Sequence, residues 1–315
     1  MRGLVNTELR SSLLVLLVSS GICAGCSASG DPPGGAATGA TGSGATGPIL
    51  TGGSGGSGNG AGTGTVIDPS MTGGTTGEQL DCDSVLEVTY RDFSEAHPDF
   101  EMDFRGDVVR RGLVDPVLGV GKKPVFKDSI GCPALMTSPV ECDTTWSVSV
   151  PVITSADSFA DWYQTTDGVN YEIAGQLTLT ETFAGSAEYV YETAQFFPLA
   201  ATDGFGLTPA GHHMQKNFLF TTEIHVNFEY RVGQRFSFRG DDDLWIFVNN
   251  KLAMDLGSMH GPSEGTIDFD AQAAALQIAP GNVYSMDIFH AERHTDGSNF
   301  KFTTNIACFT PVIVR

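Results

Sequence analysis

Residues 236–252 read FSFRGDDDLWIFVNNKL. Within this stretch, Asn249 and Asn250 separate the apolar run LWIFV from a second run, KLAMD. Asparagine tolerates the positive φ values of a two-residue turn, so the two runs predict an antiparallel hairpin. Because LWIFV is apolar at every position, both of its faces are expected to be buried. Trp245 and Phe247 are therefore predicted to be core residues rather than a platform for a ligand.

Three adjacent carboxylates, Asp241, Asp242 and Asp243, follow Gly240 and stand immediately before this hairpin. Neighbouring carboxylates repel one another unless water or a cation screens their charge. Calcium is a hard cation that accepts roughly six to eight oxygen ligands. An acidic cluster in a strand connection is, however, most often a solvated turn without a ligand. The residues by themselves leave both alternatives open.

The remaining chain from about residue 81 carries similar β-branched and aromatic runs, which Gly, Asn and Asp interrupt. These runs predict strands at 85–90, 146–153, 176–182, 187–192, 218–230, 234–238, 244–248, 252–256 and 282–289. Short helices are indicated at 157–163 and 271–276. We therefore expect one all-β domain over residues 81–315, an antiparallel β-barrel or sandwich.

The charge of the chain excludes one class of partner. It has 37 acidic and 17 basic residues, which gives a formal net charge of −20. Such a polyanion repels phosphate backbones, so no nucleic-acid partner is expected. Hydrophobic residues make up 41% of the chain, which is enough for a sizeable core.

The first 26 residues are predicted to be a lipoprotein signal peptide. A basic leader precedes an apolar run at 13–18 that is too short to span a membrane. The following string, CAGC at 23–26, resembles a bacterial lipobox, in which the last cysteine is lipidated. Lipidated Cys26 would anchor an exported protein to the bacterial cell envelope, with the outer membrane as the expected location. Ordinary secretory cleavage near the same point is the alternative.

Residues 27–80 are predicted to be a disordered linker. They hold 18 of the 39 glycines and contain no aromatic residue, no lysine and no arginine. A segment with so little apolar area cannot offset the entropy lost on ordering.

Four cysteines remain after the predicted signal and lipidation site: Cys82, Cys132, Cys142 and Cys308. An even number in an oxidising compartment predicts two disulfides, for which three pairings exist. The preferred pairing joins Cys82 to Cys308 and Cys132 to Cys142. A zinc site is the alternative, but no CxxC pair supports it.

Several strings, in the same order along 85–308, resemble the fibro-slime domain. The longest are NFLFTTEIH at 217–225, FSFRGDDDLWIFVNNKL at 236–252, DLGSMHG at 255–261 and DIFHAERHTDGSNF at 287–300. That family, which occurs in slime moulds and bacteria, is similar to the protective-antigen (PA-14) β-barrel superfamily. Members of that superfamily include carbohydrate-binding adhesin domains.

The resemblance implies a PA-14-like fold and a specific site. In carbohydrate-binding relatives, two consecutive aspartates joined by a cis peptide hold calcium, which coordinates sugar hydroxyls. Here these would be Asp241 and Asp242, with Asn299 as a further ligand. Contacts to the carbohydrate are expected from three further residues, namely Asp243, His260 and His294.

Nothing in the chain indicates catalysis. There is no HExxH string, and GxSxG spacing occurs only in the linker and at 261–265, without a strand-to-helix context. Glu292 and Arg293 are expected to form a local ion pair. The predicted function is a calcium-dependent carbohydrate-binding or adhesion module, with extracellular glycans or matrix polysaccharide as partners. The alternative is a structural, self-associating matrix protein without a sugar site.

Overall fold

The structure, a computed structural model, describes Cys82 and residues 84–102, 108–135, 138–143, 149–209, 215–295 and 297–312. The predicted signal, the lipidation of Cys26 and the linker lie outside the described residues and stay predictions. In the described part of the chain, no helix is long and apolar enough to cross a membrane.

The described residues form mainly short antiparallel strands. The strands are β1 (Val85–Phe93), β2 (Arg110–Arg111), β3 (Cys132–Leu135), β4 (Ser138–Cys142), β5 (Asn170–Thr178), β6 (Thr180–Glu181), β7 (Tyr189–Thr193), β8 (Phe220–Glu229), β9 (Arg235–Gly240), β10 (Asp243–Val248), β11 (Lys251–Leu256), β12 (Ser263–Asp268), β13 (Val283–Glu292), β14 (Phe300–Thr304) and β15 (Thr310–Pro311). The helices are α1 (Ala156–Ala160), α2 (Phe269–Leu276) and two 3-10 turns at Val120–Lys122 and Asp161–Tyr163.

Two large sheets carry the fold. The first has the strand order β11-β10-β13-β8-β1-β5, with β15 also paired to β8. The second has the order β12-β9-β14-β7-β6, and β2, β3 and β4 form a small third sheet. Neither large sheet closes on itself. The prediction of an all-β antiparallel fold is confirmed, in the form of a sandwich.

The main core lies between the two large sheets, where strand alternation directs one face of each sheet inward. Phe236 and Phe238 of β9 point into this core, whereas Arg235 and Arg239 on the same strand are exposed. The outer face of the five-stranded sheet is therefore open to solvent at these positions.

The seven-stranded sheet is covered on its outer face as well. A second apolar cluster contains Trp245, Phe247 and Phe289 from the sheet, packed with Phe159 and Trp162 from the helical segment. This cluster explains why β10 is buried at every position. The prediction that Trp245 and Phe247 are core residues is confirmed.

The hairpin between β10 and β11 also forms as predicted. Asn249 and Asn250 have φ values of 51° and 62°, which a two-residue turn of matching twist requires. Leu244 pairs with Leu256 and Val248 with Lys251 across the hairpin.

Three details of the strand prediction are wrong or incomplete. The first is the predicted strand 146–153, whose described part, residues 149–153, is irregular. Pro151 lacks the N–H that a strand needs for its hydrogen bonds to a neighbouring strand. Val152 and Ile153 are nevertheless buried in the second cluster. The predicted strand 176–182 divides, since β5 ends at Thr178 and β6 begins at Thr180. The pattern missed six strands, of which β12 is polar and half exposed; they are β2, β3, β4, β12, β14 and β15.

Both preferred disulfides are confirmed. Cys82 bonds to Cys308, with a sequence separation of 226 residues and a Cα–Cα distance of 4.7 Å. Cys132 bonds to Cys142, with a separation of 10 residues and a Cα–Cα distance of 5.5 Å. The long bridge joins the chain just before β1 to the chain just before β15.

Candidate functional site

Three chain connections that cross between the two sheets meet at one end of the sandwich. They are residues 241–242 from β9 to β10, 257–262 from β11 to β12, and 293–299 from β13 to β14. Asp243 at the start of β10 pairs with Ala291 at the end of β13, and Gly240 at the end of β9 lies opposite Phe300. Leu256 at the end of β11 pairs with Leu244, and Ser263 at the start of β12 pairs with Gly240, so the antiparallel register brings all three connections together.

Asp241 is bound to the third of these connections. Its Oδ1 accepts a hydrogen bond from the backbone N–H of Asn299 at 2.5 Å, and its Oδ2 accepts from Asn299 Nδ2 at 2.9 Å. The carbonyl of Asp241 accepts from His290 Nε2 at 2.8 Å. The peptide bond between Asp241 and Asp242 is cis, which is the geometry that the resemblance implies.

Asp242 bridges the other two connections. Its Oδ1 accepts from the backbone N–H of His260 at 3.2 Å, and its Oδ2 accepts from the backbone N–H of Arg293 at 3.1 Å. Burial raises the pKa of Asp242 to about 8; the charge of Arg293 opposes this rise, and nearby Asp243 and Asp241 add to it. Asp241 and Asp242 are only 7% and 6% exposed, so the expectation of a solvated turn is wrong, whereas the binding of an ion stays a prediction.

Asp243 follows Asp242 directly, so its side chain points to the opposite face of the seven-stranded sheet. It is fully buried. Its Oδ1 accepts from the N–H of Ser258 at 2.6 Å, and its Oδ2 accepts from Arg293 Nε at 2.6 Å. No sugar at the surface can reach this carboxylate. The expected sugar contact of Asp243 is corrected to a structural ion pair.

Arg293 is the buried cation that organises this region. Besides its bond to Asp243, its Nη1 donates to the carbonyls of Asp99 and Val152 at 3.1 and 2.8 Å. Its guanidinium lies 4.7 Å from the ring centre of Trp162. The expected local pair with Glu292 is wrong, because successive residues at the end of a strand point to opposite faces.

Glu292 is a fourth carboxyl group that sequence reasoning did not place in the site. It is buried, and its Oε2 has no hydrogen-bond partner among the described residues. Burial raises its pKa well above the ordinary value, and the charges of Asp242 and Asp241 add to this rise. Glu292 lies two and four residues after His290 and Ile288, so strand periodicity places all three on the same face of β13. This periodicity is the signal that could have predicted its position on the face between the sheets.

The histidines are distributed among different roles. His290 is buried, and burial lowers its pKa to about 4, so the neutral ring donates its one N–H to Asp241. The ring nitrogens of His260 face the carbonyls of Gly261 at 2.8 Å and Leu256 at 3.3 Å. The buried His260 is therefore structural, and its expected sugar contact is not supported. His294 is half-buried at the start of the third connection, and its sugar contact stays a prediction.

The donors present fit calcium better than a softer metal, since they are all oxygens. Asn299 Oδ1 accepts no hydrogen bond among the described residues, and Asp241 and Asp242 offer carboxylate oxygens. No three His, Cys, Asp or Glu side chains in the described ranges group as metal ligands. A calcium ion here would therefore need two aspartates, Asn299 and further oxygens from main chain, water or ligand.

An open cavity of about 320 Å³ adjoins this site at Asn299. Its lining consists of Glu192, Thr193, Ala194, Arg239, Asn299, Phe300 and Lys301. Another cavity, of about 310 Å³, lies away from the site between residues 119–126 and the segment 156–164, and its lining contains no carboxylate.

The fold and the site thus define an antiparallel β-sandwich protein with a buried acidic cluster at one end. Over about 70% of its length, the chain is similar in sequence to the psi proteins of Dictyostelium discoideum. It is 33% identical to psiD over 228 residues, which is 70% of this chain and 41% of psiD. It is 30% identical to psiC over 232 residues, which is 70% of this chain and 40% of psiC. The chain thus spans about two fifths of the length of these relatives.

No family model matches the chain. Among solved structures, a PA14 sugar-binding domain from an RTX adhesin is 14% identical, with a TM-score of 0.20 and coverage of 31% of this chain and 53% of that one. An anti-sigma factor domain-containing protein is 10% identical, with a TM-score of 0.22 and coverage of 75% and 79%.

Proposed function

We propose that this chain is a calcium-dependent carbohydrate-binding or adhesion module without enzymatic activity. Asp241, Asp242 and Asn299 hold the ion, and hydroxyl groups of an extracellular glycan or matrix polysaccharide complete its coordination. The protein is exported and anchored to the cell envelope through lipidated Cys26, and residues 27–80 are the linker between this anchor and the sandwich.

One observation supports this proposal above the others. Four carboxyl groups are buried together at one end of the sandwich, namely those of Asp241, Asp242, Asp243 and Glu292. Among the described residues, Arg293 is the one cationic side chain that bonds to any of these four carboxyl groups, and the carboxyl group that its side chain binds is that of Asp243. Buried charges are stable only when they are paired or coordinated. A divalent cation supplies the missing positive charge and accepts oxygen ligands of the kinds present.

Isothermal titration of the full chain with calcium chloride tests the proposal. We expect the wild type to bind one equivalent of calcium and Asp242→Asn to bind at least about tenfold more weakly, because one full charge is lost from the ligand set. Asp167→Asn, at an exposed aspartate outside the site, is the control and should match the wild type. Retention of polysaccharide on the immobilised chain should disappear in EGTA. Absence of calcium binding in the folded wild type contradicts the proposal.

One observation favours a second candidate function, a self-associating matrix protein. β5 is a nine-residue strand at the edge of the seven-stranded sheet, and no described strand pairs with its outer side. Uncovered edges are templates for pairing with another chain. Sedimentation velocity distinguishes the two functions, since concentration-dependent assembly in EGTA and without sugar would favour the matrix protein.

A further inference from the structure

The cavity beside Asn299 lies on the outer face of the five-stranded sheet. In the strand register, Lys301 on β14 pairs with Arg239 on β9 and with Glu192 on β7. The neighbouring Phe300 and Phe302 point into the core, so alternation directs these three charged side chains outward together. They form a row across the sheet that lines the cavity.

The charges in this row do not cancel. Lys301 Nζ lies 3.1 Å from a carboxylate oxygen of Glu192, which offsets one cation. Arg239 is exposed and makes no ion pair within the described ranges, although Glu264 lies opposite it on β12. The charged side chains in the cavity lining, those of Glu192, Arg239 and Lys301, therefore sum to one positive charge, which Glu264 outside the lining reduces. That charge favours an anionic group in the cavity.

Asn299 connects this cavity to the candidate calcium site. It forms part of the cavity wall and also bonds to both carboxylate oxygens of Asp241. Asn299 therefore links the two aspartates to the cavity wall that contains Arg239, so a ligand bound at the aspartates has this wall as its neighbour. The planar guanidinium of arginine matches a carboxylate or a sulfate ester with two parallel hydrogen bonds.

We propose that Arg239 and Lys301 form a subsite for one acidic substituent of a glycan, so that the substrate class is a glycan that carries a carboxylate or sulfate group. This inference rests on the proposed function, because the ion at Asp241 and Asp242 is what holds the adjoining sugar. Arg239 supplies the recognition, while Lys301 shares its charge with Glu192.

Titration of the full chain in excess calcium with four probes tests the subsite. The probes are oligogalacturonates, their methyl esters, a sulfated galactan oligosaccharide and its unsulfated form. We expect the wild type to bind at least one acidic probe about tenfold more tightly than its neutral counterpart, which corresponds to one charge-assisted contact. The pair of probes with the larger difference in affinity between its acidic and neutral forms identifies carboxylate or sulfate as the preferred group.

Arg239→Gln should lose this preference and keep its affinity for the neutral probes and for calcium. Arg235→Gln is the matched control, since Arg235 lies on the same strand but pairs with Asp268 away from the cavity, and it should keep the preference. Equal binding of acidic and neutral probes by the wild type, or an unchanged preference in Arg239→Gln, would overturn the subsite alone. Failure of the wild type to bind calcium would overturn the proposed function and the subsite with it.

Discussion

Replacement of Arg293 by methionine should destabilise the sandwich by about 4 kcal/mol. Both partners of the pair between Arg293 and Asp243 are fully buried. Removal of one partner of a buried pair leaves the other charge uncompensated, at a cost of about 3–5 kcal/mol. The carbonyls of Asp99 and Val152 also lose their donor. Methionine fills much of the vacated volume, so a cavity adds little to this loss.

Urea unfolding, followed by tryptophan fluorescence and far-ultraviolet circular dichroism, measures this change. The control is Arg235→Met, because Arg235 is 67% exposed and pairs with a partly exposed Asp268; its effect should stay below about 1 kcal/mol. The double variant Arg293→Met with Asp243→Asn should lose less stability than the sum of the single variants, since the stranded carboxylate is gone. A loss below about 1 kcal/mol in Arg293→Met would refute the account of Arg293 as the organising cation.

Two further predictions concern the remainder of the sandwich. Burial alone would lower the pKa of His225, but its hydrogen bonds with Asp287 and Glu223 outweigh burial and raise the pKa above the ordinary 6.5. The stability from these bonds is complete below pH 6.5 and lost as pH rises through the folded-state pKa. The urea midpoint should therefore fall between pH 6 and pH 9 by more in the wild type than in His225→Gln, and equal slopes would contradict this. Replacement of both cysteines by serine should cost about 5 kcal/mol for the Cys82–Cys308 bridge and about 3 kcal/mol for Cys132–Cys142, as loop entropy predicts; unfolding without reductant checks the order, and the reverse order would contradict it.

The all-β class and the central hairpin could be predicted because they depend on local signals. Strand alternation and the turn chemistry of Asn249 and Asn250 operate within a few residues. The choice between a barrel and a sandwich depends on whether the edge strands β5 and β11 pair with each other. No local sequence pattern indicates whether they do. β12 could not be predicted for a related reason. Its sequence, SEGTID at 263–268, has few apolar residues, and it forms a strand by pairing with β9.

The candidate site was only partly predictable. The three aspartates could be predicted because they are adjacent in sequence. Asn299 could be predicted as a ligand because of the resemblance to the fibro-slime domain. Glu292 and Arg293 were paired with each other because they are neighbours. Their roles depend on which face of the sheet each side chain meets at the end of β13. For Arg293 they also depend on partners that lie 50 residues or more away, as in its bond to Asp243.

The burial of the acidic cluster follows from its position on connections between sheets. Where the chain leaves one ladder for the other, backbone N–H groups lose their strand partners and become free to bind side chains. The N–H groups of Ser258, His260, Arg293 and Asn299 all donate to the three aspartates. These neutral donors fix the carboxylates in place and stabilise their charge only partly. A solvated turn needs no such donors, so this arrangement sets Asp241 and Asp242 apart from ordinary acidic turns, and the binding of a cation by them stays a proposal.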